Sequence, residues 1–331
     1  MDTASHLLFG ATLAGAACLH PQIAEQPQLF GAVLAATLIG SHAPDFDTIT
    51  RLRGYAAYLR YHRGLTHAVP AWFVWPFVIS LPLSSLFHVW EYWPIVAMWS
   101  FIAVMLHIGL DWLNAYGVQA GLPFTSRWLH RDVLCLFDPV LFGIHAAVLS
   151  SWWWLDRQEA SSLFVAAYAL SLLYIFWRWR TCSKVLRLLR QQFPDAAHHQ
   201  LVPELSLCRW QYVVETEDCY LTGWVTQAAP FPMRTPLRFD CHARYEKSFS
   251  LNPIIERTLE TDGVRAFHGF AERIVVQAQQ WKDGYRVVWN DVRFWHRRGL
   301  PFGVEVELDK QLNVVKTKLG WSKKGWEPPY V

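Results

Sequence analysis

The chain has 331 residues, 53% of them apolar and 17% charged, with a formal net charge of +3. That length suffices for two domains, and so small a charge gives no argument for nucleic acid as a partner. The six cysteines (Cys18, Cys135, Cys182, Cys208, Cys219, Cys241) have no paired short spacing, so neither a zinc knuckle nor a disulfide framework is indicated.

The two halves differ in charge. Residues 1–180 carry nine Lys/Arg and ten Asp/Glu, whereas residues 181–331 carry 21 and 17. A charge-poor half followed by a charge-rich half predicts a membrane domain and then a soluble one. The N-terminus has Asp2 and His6 in place of the basic region of a signal peptide. Residues 7–19 and 29–40 are short, apolar and rich in Gly and Ala, which suits close helix packing in a bilayer. Residues 70–87, 94–110, 139–155 and 161–177 are longer, each near the length that crosses the hydrocarbon core. Trp90, Tyr92, Trp93, Trp152, Trp153, Trp154, Trp177 and Trp179 crowd their ends, as in an interfacial belt. The competing expectation is a very apolar soluble bundle.

If all six segments cross, the connections alternate sides. One side then receives Arg51, Arg53, Arg60, Arg63, Arg127, Arg131, Arg178 and Arg180, and the other only Arg157. This asymmetry predicts both termini and the long connections in the cytoplasm. After Trp179, the basic residues Arg180, Lys184, Arg187 and Arg190 read as a stop-transfer flank or a juxtamembrane helix. Residues 206–331 hold short alternating or β-branched runs such as WQYVVE, YRVVWNDVRFW and FGVEVELD, split by turns at Lys282-Asp283-Gly284 and Asp309-Lys310-Gln311. The expected architecture is a mainly α polytopic membrane domain of about six helices with four clear spans (1–180), a basic juxtamembrane linker or helix (181–205), and a β-rich cytosolic domain (206–331). In the tail, His242, His268 and His296 lack ligand spacing and read as surface or packing residues.

The topology gathers ionisable residues on one face. His6 opens the first segment, His42, Asp45 and Asp47 follow the second, His62 and His67 flank the start of the third, His107 and Asp111 end the fourth, and Asp138 opens the fifth. Such groups at membrane depth are costly and are functional candidates. His107 and Asp111 lie four apart, hence on one helical face, and can grip one cation together. Asp45 and Asp47 sit in a turn where both carboxylates can face one ion. The metal-ligand candidates are therefore His6, Asp45, Asp47, His62, His67, His107 and Asp111. Mixed imidazole and carboxylate donors suit zinc, manganese or iron, and their number leaves room for one or two ions. Asp138, or whichever of Asp45 and Asp47 is not a ligand, would orient water or act as general base. Arg63 would pair with a phosphate or anchor the cytoplasmic face. The structural alternative is a buried polar network knitting short helices together.

Ser5-His6 before a Gly/Ala-rich helix, Pro44-Asp45-Phe46-Asp47, His62-Arg63-Gly64-Leu65-Thr66-His67, and His107 to Asp111 leading to Tyr116-Gly117 resemble the YdjM-type family. The likeness covers roughly residues 1–180, and its HRGxTH and HxxLD elements are the most specific. It implies a LexA-regulated, membrane-bound, metal-dependent hydrolase of the inner membrane. More distantly, the pattern is similar to the helical zinc-dependent phospholipase C and single-strand nuclease group. That likeness implies Asp45 or Asp47, His62 or His67, His107 and Asp111 as ligands. The later zinc-ligand elements of that group are not visible here, and the β-rich tail lies outside the likeness.

The expected function is hydrolysis through metal-activated water at the cytoplasmic face of a bacterial inner membrane. A headgroup-level site suggests a phospholipid or other lipid phosphoester as substrate, with the bilayer as partner. The other classes are a metal-ion transporter or sensor, which would need ligands partway through the membrane or on both faces, and a non-catalytic scaffold whose β domain binds a partner.

Overall fold

The computed structural model describes residues 1–230, 236–247, 252–297 and 299–322. The chain folds as two compact units. One comprises Met1–Asp47 and Arg63–Arg180, and the other joins Thr48–His62 to the chain after Arg180.

The first unit is helical. Helix α1 (Thr3–Ala17) starts where Asp2 accepts from the Ser5 N–H at 3.1 Å, a side-chain N-cap. The short α2 (Pro21–Glu25) and α3 (Pro27–Gly40) follow, each with proline in its first turn. Small residues let these helices approach closely. A Cβ on Gly10 would sit 2.8 Å from the Thr37 carbonyl oxygen of α3, and one on Gly40 would sit 3.0 Å from that of Ser100. A 3₁₀ segment, Ala43–Arg53, carries the chain toward the second unit, where α4 (Tyr55–Tyr61) lies. Helices α5 (Val69–Leu86) and α6 (Trp93–Trp112) form an apolar pair, followed by α7 (Pro139–Leu149) and α8 (Arg157–Gln192). Ile23, Leu29, Val33, Ile79, Leu83 and Val96 build the core between α2, α3, α5 and α6.

Among the described residues, α5, the helix ending at Trp112 and α8 are long and apolar enough to cross a membrane. The outer faces of α5 and α8 stay uncovered: Phe73, Phe77, Leu172, Leu173 and Phe176 are all more than half exposed. Apolar surface of this kind suits contact with lipid. The expected fourth clear span over 139–155 is not one long helix. It stops at Leu149 after 11 residues, then turns through Ser150–Trp153 as 3₁₀. Ser150 Oγ donates to the Ala147 carbonyl at 2.6 Å, and Asp156 and Glu159 cap the next helix reciprocally, so the chain is built to turn there.

The second unit contains two four-stranded antiparallel meanders. The first is β1 (His198–Pro203), β2 (Arg209–Glu215), β3 (Cys219–Gln227) and β4 (Leu237–Glu246). The second is β5 (Ile274–Trp281), β6 (Gly284–Asp291), β7 (Phe302–Leu308) and β8 (Val314–Trp321), with α9 (Pro253–Leu259) and α10 (Asp262–Phe270) packed on it. Trp289 pairs with Val304 and Val287 with Val306, which places four buried side chains on one face. Phe267 and Phe270 of α10 meet Phe302 there, at ring distances of 5.7 and 5.6 Å. The expected turn at Lys282-Asp283 is a two-residue hairpin, and Asp309 organises the β7–β8 turn by accepting from Gln311 N and Asn313 N. Helix α4 packs with this unit, where Arg60 donates to Asp262 at 2.7 Å. Within residues 181–205, expected as a basic juxtamembrane linker or helix, the chain continues α8 to Gln192 and then forms β1.

Candidate metal centre

Four segments of the helical unit converge on one buried point. α1 brings His6, the 3₁₀ segment after α3 brings Asp45, the turn Leu65–His67 brings His67, and the last two turns of α6 bring His107 and Asp111. His6, His67, His107 and Asp111 are at most 1% exposed. His6, Asp45, His107 and Asp111 each offer a donor atom, all within 4.8 Å of one another, and could hold a metal ion.

The arrangement around His67 and His107 is tighter still. Their Nε2 atoms lie 3.3 Å apart. Asp45 Oδ1 is 3.6 Å from both, and Asp111 Oδ2 is 3.6 Å from both. Donors bound to one ion at about 2.0–2.2 Å in a tetrahedron stand about 3.3–3.6 Å apart, so these separations fit a single cation. Hydrogen bonding fixes the His107 tautomer: Nδ1 lies 2.7 Å from the Ser41 carbonyl, a pure acceptor, so Nδ1–H donates and Nε2 keeps its lone pair for the cluster. Burial holds the His67 imidazole below its ordinary pKa, which favours the neutral ring a metal needs.

Asp111 is polarised between its two oxygens. Oδ1 accepts from Arg63 Nη2 at 3.1 Å and from the Met1 amino group. Oδ2 is buried without a hydrogen bond. An orphaned carboxylate oxygen facing two imidazole nitrogens is the chemistry of an anionic ligand: Arg63 and the Met1 amino group serve Oδ1, and Oδ2 is left as a buried acceptor without a donor. His6 completes the wall: its ring stacks on His107 at 3.8 Å and its Nε2 is 3.4 Å from Asp111 Oδ1.

The remaining sequence candidates are placed differently. Asp47 Oδ2 accepts from the Arg63 N–H at 3.0 Å and the Thr66 hydroxyl at 2.6 Å, on the Nδ1 side of His67. Arg63, expected to meet a phosphate or anchor the surface, is buried and braces Asp111, Asn114 Oδ1 and the Gly117 carbonyl. Asp138, expected to orient water, N-caps α7 by accepting from Val140 and Leu141 at 3.1 Å, and its other oxygen accepts from Tyr174 at 2.9 Å. His62 ends α4, its ring stacked on Tyr58 at 4.6 Å. His242 and His268 pack on Trp295 and Trp289. Ser41 and Asn114 support the cluster but carry no motif signal, since each acts through a contact set by the fold, whereas Thr66 stands inside the HRGxTH element without the spacing showing its role.

Residues 1–184 match the family described as YdjM inner membrane protein, and residues 253–327 match the YfhP C-terminal alpha/beta plait domain. The chain is similar to the uncharacterized protein YfhP of Bacillus subtilis (strain 168), with 28% identity over 333 residues, covering 97% of this chain and 95% of that protein. No solved structure matches.

Proposed function

The chain belongs to the YdjM inner membrane protein family, and from that premise we propose a metal-dependent hydrolase that acts on a lipid phosphoester at the cytoplasmic membrane face. The observation that carries this reading is the orphaned Asp111 Oδ2 facing the Nε2 atoms of His67 and His107. His67, His107, Asp45 and Asp111 are the ligands of one ion, with His6 at its edge. Two imidazoles and two carboxylates suit zinc, with manganese or iron(II) as the alternatives.

A divalent ion held there supplies Lewis-acid polarisation and a water nucleophile at neutral pH. Arg63 neutralises Asp111 Oδ1 and holds its carboxylate in place. Ser41 holds the His107 ring. Asp45, whose side chain is 12% exposed, is the least buried of the four and marks the side from which substrate approaches. The cluster lies at the C-terminal end of α6 and just before the N-terminus of α5, hence at one end of two candidate spans. If those spans cross the bilayer, that end is at headgroup depth, which favours a phosphoester joined to an acyl chain. It also favours surface hydrolysis over ion transport, which would need ligands farther along the spans. If the shorter apolar segments cross along with α5, α6 and α8, giving six crossings, the eight-to-one arginine asymmetry supports multi-pass insertion with both termini cytoplasmic.

The test is hydrolysis of phospholipids and of a soluble chromogenic phosphodiester by the purified protein in lipid nanodiscs, with added zinc or manganese and with chelator. The proposal expects metal-dependent turnover of lipid, abolished in Asp111→Asn. No metal-dependent turnover of either substrate would overturn it, and preference for the soluble diester would overturn the lipid assignment.

A further inference from the structure

Thr66 sits between Asp47 and His67. Its Oγ1 lies 2.6 Å from Asp47 Oδ2 and 3.1 Å from His67 Nδ1. A hydroxyl has one proton, and the carboxylate can only accept, so the Thr66 proton points to Asp47. The hydroxyl oxygen is then left to accept from His67 Nδ1–H. That fixes the His67 tautomer with its Nε2 lone pair toward His107, Asp45 and Asp111.

The turn is held from outside as well. Trp72 Nε1 donates to the His67 carbonyl at 2.9 Å and Trp75 Nε1 to that of Thr66 at 3.1 Å. Asp47 is in turn oriented by the Arg63 N–H at 3.0 Å. The two histidines are thus held by different means: His107 by a backbone carbonyl, and His67 by a side chain that substitution can remove.

We propose that Thr66 is a positioning residue for His67, that Asp47 polarises it, and that this Asp47–Thr66–His67 relay sets metal affinity. The inference rests on the metal reading above. It assigns Asp47 a role through Oδ2, behind the ring rather than at the ion. A carboxylate behind a ligating imidazole fixes ring orientation and raises ligand basicity, and the Thr66 hydroxyl transmits that effect here.

The test uses the full-length protein in detergent with Thr66→Val, which keeps shape and removes the hydroxyl, and Thr66→Ser, which keeps the hydroxyl. Two quantities are read: zinc affinity by competition with a chromophoric chelator, and the ring ¹⁵N signals of His67 in zinc-free protein, assigned with His67→Ala. The expected result is about 10- to 100-fold weaker zinc binding in Thr66→Val, near wild-type affinity in Thr66→Ser, and loss of the single Nδ1–H tautomer in Thr66→Val only. Unchanged zinc affinity or an unchanged tautomer in Thr66→Val overturns the relay. A wild-type protein that binds no zinc sinks the metal reading, and with it the role in affinity, while the ¹⁵N signals still decide whether Thr66 fixes the ring.

Discussion

Asp111 Oδ2 lies 3.6 Å from His107 Nε2, buried and without a hydrogen bond. The two residues are one turn apart on α6, so the helix itself sets their proximity. Leaving a buried acceptor unsatisfied costs about 1–3 kcal/mol, and more for a charged one. A bound cation removes that cost, whereas a merely structural pair would close into a direct hydrogen bond.

Six crossings together with the arginine asymmetry predict the topology. A reporter fused after residue 180 should report from the cytoplasm, and one inserted in the 156–160 turn from the opposite side. The reverse pattern would overturn the six-crossing orientation and, with it, the gathering of the site residues on one cytoplasmic face.

Asp138 should behave as a cap. Asn caps helices about as well as Asp, so Asp138→Asn should keep metal content and most activity, while Asp138→Ala should lose about 0.5–2 kcal/mol of stability. Thermal unfolding and turnover of the two variants check this. Loss of turnover in a well-folded, metal-loaded Asp138→Asn would restore Asp138 as a base.

Much of this was legible in the sequence, for reasons that differ by residue. The His107/Asp111 pair announces itself through helical spacing in an apolar run. The meeting of His6 with His107 follows only from where helix ends gather. Asp138-Pro139 carried a helix-start signature, acid at the cap and proline at the first position, that competed with its reading as a base. Strand β4 (LRFDCHARYE) shows no apolar alternation because none of its residues is fully buried, and the sequence did not reveal it. That Thr48–His62 packs with the second unit depends on long-range contacts such as Arg60 to Asp262, which no local pattern encodes.

Phe267 is fully buried between α10 and the second sheet. Phe267→Ala should cost that unit about 3–5 kcal/mol, seen as a lowered unfolding midpoint. Because the metal cluster belongs to the other unit, metal per protein should not change. Parallel loss of metal would show that the second unit supports the site.

Acid should release the metal late. Burial keeps the folded-state pKa of His67 below its ordinary value, so the neutral ring persists as pH falls through about 6.5. The sign is that of a group binding fewer protons folded than unfolded: stability and metal retention rise with pH and are lost on acidification below that range. Metal content measured across pH should show a release midpoint below about 6.5. A midpoint above that value would contradict an imidazole ligand held neutral by burial.

The most direct test is metal per protein, by elemental analysis of the detergent-purified chain, in wild type, His107→Ala, Asp111→Asn and His88→Ala. Asp111→Asn keeps the size and acceptor capacity of the side chain but removes its negative charge. His88 lies beyond the far end of α5 and serves as the control. The account predicts bound metal in wild type and His88→Ala, and its loss in His107→Ala and Asp111→Asn. Full occupancy in Asp111→Asn, or equal loss in His88→Ala, would contradict it.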